Sequence, residues 1–376
     1  MNNNKSILIC SNYCWTVFNF RLNLIKKLKS EGYNLILLTK NDKYSSLVDI
    51  YFDKTYNLSI DLNGKNILSE FLTFLNILFV LLKVRPTFLL TFTIKPNFYG
   101  LLASNFTNTH TIPNVTGLGM LQAEHSFFSS SIKMIYRFCF LRTYHVFFQN
   151  SDDLETFNLG FISSRIKQSV LPGSGINIEK FNPHYNTTKK SKTIKFLFFG
   201  RLLKDKGVIE YLEAARHFYQ HDPKHKFYIL GFLDSENKSA ISFNDLKPYI
   251  DYYNVTYLEP TDDVSSILCD FDCVVFPSYY FEGVPRCLIE AASCGLPIIT
   301  NNSRGCREVV DEGFNGFLCE PKNINSLISK INQFINLSSK SRLQMGKNSR
   351  HKALNYFDEE IVLNSYVNVL KSYEYM

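Results

Sequence analysis

The feature that most restricts the fold of this chain is an alternation. Short runs rich in β-branched and aromatic residues are followed by longer amphipathic ones, and the series runs twice. Such a series predicts α/β units, in which helices return the chain between parallel strands and cover the sheet. In the first half, strands are predicted at 7–10, 34–39, 88–92, 111–115, 146–149 and 169–171, with helices at 20–30, 67–83, 97–104, 130–142 and 152–159. The stretch 173–192, rich in Gly, Asn, Thr and Lys, breaks the rhythm and reads as a connection. The series restarts with a strand at 194–199, a helix at 208–220 and strands at 227–230, 255–258 and 273–276. A helix at 285–294, a strand at 297–300 and tail helices at 324–337, 341–355 and 359–373 complete it. A chain of 376 residues is long enough for two such domains.

Composition narrows the class. Apolar residues at 45% and charged ones at 20% are ordinary globular values, which exclude a disordered or fibrous chain. The nine cysteines are odd in number and scattered, so they do not form a secreted disulfide framework. Cys10/Cys14 and Cys269/Cys273 lack the second ligand pair of a zinc tetrahedron. Buried or neutral thiols in a reducing cytoplasm are expected. The run 6–10 is too short for an export signal. The most hydrophobic stretch, 67–84, is interrupted by Glu70, Thr73, Asn76 and Lys83. It reads as a buried core helix, with an interfacial role as the alternative.

Charge is unevenly shared. Residues 1–190 hold 20 Lys+Arg against 11 Asp+Glu, a net of +9, whereas residues 191–376 hold 21 against 23, a net of −2. Either the first half meets an anionic partner, such as a membrane surface, a phosphorylated lipid or nucleic acid, or its basic surface is simply solvated. Within it, Lys133, Arg137 and Arg142 recur near helical spacing among aromatic residues. They are read as the basic rim of a core helix, or as a helix grazing an anionic leaflet.

Two segments carry chemistry. In Phe198-Phe199-Gly200-Arg201-Leu202-Leu203-Lys204-Asp205-Lys206-Gly207 a strand ends at Gly-Arg and a Lys-Gly opens the next helix. Residues at the carboxyl end of a parallel strand face the ligand crevice. Arg201 and Lys206 can therefore converge on one anion, Arg as a fork of donors and Lys as a mobile point charge. Solvated basic residues beside a turn are the plainer alternative. The second segment runs from Phe276 to Thr300, through a loop into a helix that Pro285 can open and Gly295 can end. Glu282 lies in the loop and Glu290 in the helix, placed to serve different parts of an elongated ligand. Backbone N–H groups around Gly283 and Val284 open toward the same crevice. Both acids could instead be surface groups, but Leu288, Ile289, Ala291 and Ala292 predict a buried helix, and a buried carboxylate needs a partner.

The block 276–321, with Gly305-Cys306-Arg307-Glu308 and Asn315-Gly316-Phe317-Leu318, resembles the signature of family 4 glycosyltransferases, retaining enzymes of the GT-B fold. Glu282 and Glu290 match its paired acids, and Gly200-Arg201 with Lys206-Gly207 its phosphate-binding pair. Thr93-Ile94-Lys95-Pro96-Asn97, Asn114-Val115-Thr116-Gly117-Leu118-Gly119, the run 147–153 and Pro172-Gly173-Ser174-Gly175-Ile176-Asn177 resemble a subgroup that builds bacterial capsules and O-antigens. The resemblance implies two Rossmann-like domains facing a central cleft. Residues 1–175 would form an acceptor domain, onto which a C-terminal helix at 359–376 crosses back, and residues 176–358 a nucleotide-sugar domain.

By the same resemblance Arg201 and Lys206 hold the donor diphosphate, Glu282 and Gly283 the donor sugar, and Glu290 the ribose, with Val284 also on the donor side. Lys95, Thr116 and Gly117 belong to the acceptor side. The implied reaction moves a sugar from a UDP-sugar to an undecaprenyl-diphosphate-linked saccharide at the cytoplasmic face of the inner membrane. No metal is expected, because Arg201, Lys206 and helix N-termini can stabilise the leaving diphosphate. The pairs Asp152-Asp153 and Asp262-Asp263 read as helix openers. The chain departs from many relatives at Asn12-Tyr13-Cys14-Trp15-Thr16, where they carry a Gly-Gly loop, at 115–117, where they carry a His, and at Asn177, where they carry Asp. Alternatives are a nucleotide-sugar epimerase of the same architecture and a non-catalytic sugar-nucleotide binder. Nucleic-acid binding would leave Glu282 and Glu290 unused.

Overall fold

The structure, a computed structural model, describes residues 5–61, 66–117, 138–158, 166–183, 193–234, 237 and 239–373. The chain divides into two compact units, residues 1–174 with 360–376, and residues 175–359.

The first unit is built on seven parallel strands: β1 (Ser6–Tyr13), β2 (Asn34–Lys40), β3 (Lys54–Asn57), β4 (Phe88–Phe92), β5 (His110–Val115), β6 (His145–Phe148) and β7 (Lys167–Val170). Their order is β3-β2-β1-β4-β5-β6-β7, so the direction of winding reverses between β1 and β4. All five residues of β4 and all four of β6 are buried, as helices on both faces of a parallel sheet require. The short edge strand β3 is absent from the sequence-based expectation; its Lys-Thr-Tyr-Asn has no buried residue and hence no apolar run to betray it.

Helix Glu359–Ser372 closes this unit's core. Val362, Leu363, Tyr366, Val367 and Leu370 pack in one cluster with β1, β2 and β4 residues such as Ile7, Leu37 and Leu90. The Tyr366 ring lies 4.5 Å from that of Phe147, and its hydroxyl accepts a hydrogen bond from Asn114 Nδ2 at 2.8 Å. Gln149 Nε2 donates to Asn114 Oδ1 at 3.3 Å, and Asn97 Nδ2 donates to the Asn114 carbonyl at 2.8 Å. Three of the motifs read from the sequence thus meet in one polar network.

Helix Ile67–Val84 forms, but it is not the core helix expected. Only Thr73, Ile77, Val80 and Leu81 are buried. Of the basic stripe, Lys133 and Arg137 lie outside the described residues, as does most of the predicted helix 130–142. Arg142 is exposed and ends a short 3-10 turn, Phe140–Arg142.

The second unit has six parallel strands: β8 (Lys195–Phe199), β9 (Lys226–Leu230), β10 (Val255–Leu258), β11 (Cys273–Phe276), β12 (Ile298–Asn301) and β13 (Gly316–Cys319). The order β10-β9-β8-β11-β12-β13 reverses between β8 and β11. Where the chain enters and leaves this unit, its two segments pair: Ile176 N–H donates to the Phe357 carbonyl at 2.8 Å, and Glu359 N–H to the Ile176 carbonyl at 3.0 Å. Asn177 Nδ2 donates to Glu359 Oε1 at 2.7 Å, which gives this departure from the family pattern a structural use. All nine cysteines are free thiols.

Truncating Tyr366 should open a cavity in the first unit. Tyr366→Ala is expected to lower that unit's stability by about 3–5 kcal/mol, the usual cost of removing a buried aromatic ring. Trp15, the only tryptophan and part of this unit, reports the urea transition. Tyr366→Phe should shift the midpoint far less.

Candidate functional site

In an open parallel sheet the ligand crevice lies beyond the carboxyl ends of the strands, where the winding reverses. In the second unit that point is the exits of β8 and β11. The β8 exit is Gly200-Arg201, followed by a 3-10 turn, Lys204–Lys206, and helix Val208–His221. The β11 exit is Pro277-Ser278, followed by the loop to helix Arg286–Ser293. These helices start at Gly207 and Pro285, neither of which has a side chain able to accept a hydrogen bond. Their dipoles therefore favour an anion from outside the helix.

The two exits are pressed together. Gly207 has φ +79°, and a Cβ there would come within 2.1 Å of the Pro277 carbonyl oxygen. The Asp205 carbonyl accepts from both Tyr279 and Tyr280 N–H at 3.1 Å. On the far side, a Cβ on Gly305 would stand 1.7 Å from the Gly283 carbonyl oxygen. Ser303 Oγ and Asn301 Nδ2 donate to the Ser278 and Pro277 carbonyls at 2.8 Å and 2.6 Å. The loop that carries Glu282 is thus clamped between two neighbours.

Out of this clamp comes one ion pair. Lys206 Nζ bonds Glu282 Oε1, and both side chains are nearly buried, at 9% and 13% exposure. Lys206 also lies over the Tyr280 ring, 4.8 Å from its centroid. Burial, and then the Arg201 guanidinium, pull the Lys206 ammonium down to about 8. Arg201 itself is 44% exposed, and its Nη1 stands 3.8 Å from Asp234 Oδ2. Glu290 is held one turn along the helix by Arg286, whose Nε donates to its Oε1 at 2.8 Å. Burial pushes the Glu290 carboxyl up, against the pull of Arg286. Burial pushes the Cys287 thiol up, with Glu290 raising it further and Lys206 pulling it down. Gly283 and Val284 are buried beside them.

Sequence reasoning found Arg201, Lys206, Glu282, Gly283, Val284 and Glu290, and the structure brings them to one end of one sheet. It missed Arg286, although an Arg four residues before a Glu is a visible helical pair. It missed Tyr280, which no spacing signals. It also overlooked Asp270-Phe271-Asp272, a triplet of the kind that can hold a divalent cation. That triplet precedes β11, at the opposite end of the strands, where Asp272 Oδ2 accepts the Lys195 N–H at 2.9 Å. In the first unit, Lys95 is bonded to Glu70 and to the Asp61 carbonyl. Thr116 and Gly117 line an apolar pocket with Ile94, Phe98, Phe140 and Phe157. Thr93, at the β4 exit beside that pocket, has φ +75°, a costly conformation for a β-branched residue.

Two open parallel sheets in separate units, one with cations and acids at its switch point, are the architecture of the GT-B glycosyltransferases. The sequence model of the glycosyl transferases group 1 family matches residues 180–352, nearly the whole of the second unit. The chain is 27% identical over 373 residues to the N,N'-diacetylbacillosaminyl-diphospho-undecaprenol α-1,3-N-acetylgalactosaminyltransferase of Campylobacter jejuni, with 94% of this chain and 95% of that protein covered. It is 29% identical to an Escherichia coli UDP-Gal:α-D-GlcNAc-diphosphoundecaprenol α-1,3-galactosyltransferase, over 61% of each chain. Among solved structures, a Rickettsia africae glycosyltransferase superposes with TM-score 0.78 at 19% identity, covering 98% of both chains. Anabaena HepE in complex with UDP and glucose does so with TM-score 0.78 at 18% identity, covering 98% of this chain and all of that one.

A cation whose pKa lies near 8 makes anion binding pH-dependent. Lys206 carries its charge below that value and loses it above. Affinity for UDP should be level near pH 7.5 and fall above pH 8, approaching roughly tenfold per unit. Titration calorimetry from pH 7.5 to 9.5 reads the slope, and Lys206→Gln should both weaken and flatten the profile.

Proposed function

We propose that this chain transfers a hexose from a UDP-sugar to an undecaprenyl-diphosphate-linked saccharide, with retention, in the assembly of a bacterial surface polysaccharide. The observation that carries the reading is the Lys206–Glu282 pair beside Arg201 at the β8/β11 switch point. Support for the substrates comes from the two bacterial relatives, whose names specify undecaprenyl-diphosphate-linked acceptors, one of them with a UDP-sugar donor. The UDP and glucose of the HepE complex fit the same donor class.

The roles follow from the charges. As the bond between the sugar C1 and the diphosphate breaks, negative charge grows on the departing oxygens. Lys206, Arg201 and the starts of helices Val208–His221 and Arg286–Ser293 stabilise that charge without reorganising. A diphosphate on Lys206 draws the ammonium from Glu282, whose carboxylate then accepts from the sugar hydroxyls. Gly283 and Val284 present backbone to the same sugar, and Glu290, oriented by Arg286, accepts from the ribose hydroxyls. These charges make a metal unnecessary. The first unit takes the acceptor, with Thr116 and Gly117 in contact with it and Lys95 fixing the wall through Glu70. The enzyme works on the cytoplasmic face of the membrane that holds its acceptor.

This division of labour separates the two acids. Glu282→Ala should cut kcat by two or more orders of magnitude while UDP affinity holds or tightens, because Lys206 loses its competing partner. Glu290→Ala should weaken UDP itself. Turnover with a UDP-sugar panel and a lipid-linked acceptor, alongside UDP calorimetry, distinguishes them. Equal loss of UDP affinity in both variants contradicts the assignment. Activity should persist in excess EDTA, and Arg201→Ala should be severely impaired under the same conditions.

A further inference from the structure

Helix Ile67–Val84 is turned inside out relative to an ordinary surface helix. Glu70, Thr73 and Asn76 face the protein. Glu70 bonds Lys95 and accepts from the Tyr99 hydroxyl at 2.6 Å. Thr73 Oγ1 donates to the Ser59 carbonyl at 2.8 Å, and Asn76 Oδ1 accepts the Ser59 N–H at 3.2 Å. Ile77, Val80 and Leu81 pack inward, but many of its large apolar residues face out. Leu68, Phe71, Leu72, Leu75, Phe79 and Leu82 are each at least 40% exposed, and their spacing of three or four residues sets them in one stripe. Phe106, 57% exposed with its ring 6.1 Å from that of Phe74, widens the patch. The helix has a mean hydropathy of 2.0. A contiguous row of this kind is not an ordinary water-facing surface.

The surroundings identify what covers it. Exposed Lys54, Lys83 and Arg85 cluster at the helix's carboxyl end, with Lys54 and Lys83 both over the Tyr56 ring. The helix's one acid, Glu70, is already neutralised by Lys95. The stripe itself offers no hydrogen-bonding group, whereas protein interfaces carry about one hydrogen bond per 100–200 Å². An apolar row flanked by cations matches an anionic bilayer interface. We propose that the outer face of helix Ile67–Val84 docks this protein on an anionic lipid surface, lying in the plane of the interface. It does not span the bilayer, since Thr73, Ile77, Val80 and Leu81 are committed to the unit's interior. This gives the membrane location in the proposed function a surface distinct from the stripe of Lys133, Arg137 and Arg142.

The test is flotation of the full chain with vesicles of phosphatidylethanolamine and phosphatidylglycerol, or of phosphatidylcholine alone. Wild type should float with the anionic vesicles and far less with phosphatidylcholine. Leu72→Gln/Leu75→Gln/Phe79→Gln should lose roughly a hundredfold in partition coefficient, since three apolar side chains no longer leave water. Lys83→Gln/Arg85→Gln should lose several-fold, only with anionic vesicles. The same changes around Tyr252, an exposed aromatic of the second unit, should have no effect. Should the triple variant misfold, Phe71→Trp serves instead: brominated acyl chains should quench it beyond the Trp15 background. Wild type that ignores anionic vesicles, a triple variant that floats as wild type does, or an unquenched Trp overturns the proposal. So does a wild-type dimer that the triple variant dissociates without any vesicle binding, which assigns the face to a second copy. Flotation needs no turnover, and transfer to a water-soluble short-chain acceptor needs no bilayer, so failure of this surface and failure of the proposed reaction are read separately.

Discussion

The Lys206–Glu282 pair is the interaction on which the chemistry proposed for the second unit depends. A buried ammonium alone is costly, and a buried carboxylate alone equally so; each makes the other tolerable. The arrangement holds only because Gly207 lets the β8 exit touch Pro277 and Gly305 lets the next loop touch Gly283. A side chain at Gly207 would drive the two exits apart, and one at Gly305 would displace the loop that carries Glu282. The sheet supplies the rest, since order reversal between β8 and β11 leaves a gap in which two loops, 76 positions apart in sequence, can meet. In the proposed function the pair competes with the donor diphosphate, so occupancy by the donor and release of Glu282 would be one event.

Much of this was legible in the sequence, and the misses share a cause. The strand–helix alternation carried the two parallel sheets, because buried strands are apolar runs, unbroken in β11 and interrupted only by Thr91 in β4. The Arg201/Lys206 and Glu282/Glu290 motifs carried the site, because the residue types and their place after a strand limit what they can do. What spacing does not encode is which groups pair in three dimensions. Nothing in the sequence set Lys206 on Glu282 rather than on solvent, or Tyr280 beneath Lys206. Helix Ile67–Val84 was misread for the same reason. Hydropathy counts apolar residues but not which side the sheet occupies, and here Glu70, Thr73 and Asn76 take the inner side.

The first unit shows a second kind of legibility. Thr93–Asn97, Asn114 and Gln149 are far apart in sequence, yet Asn97, Asn114 and Gln149 share one hydrogen-bond network that Tyr366 of the last helix completes. Motifs that sequence assigns to the acceptor side thus also hold the unit together. The strained Thr93 sits at the end of that network, its carbonyl accepting the Asn97 N–H at 3.0 Å, where packing against buried neighbours can sustain an unfavourable backbone.

The central claim is that Lys206 is the ammonium that takes the β-phosphate of the donor. The direct measurement is the ratio of UDP to UMP affinity by calorimetry, in wild type and in Lys206→Ala, at pH 7.5. The account predicts a strong preference for UDP in wild type that collapses toward unity in the variant, while UMP affinity stays within a few-fold. A variant that keeps the wild-type UDP:UMP ratio would contradict it.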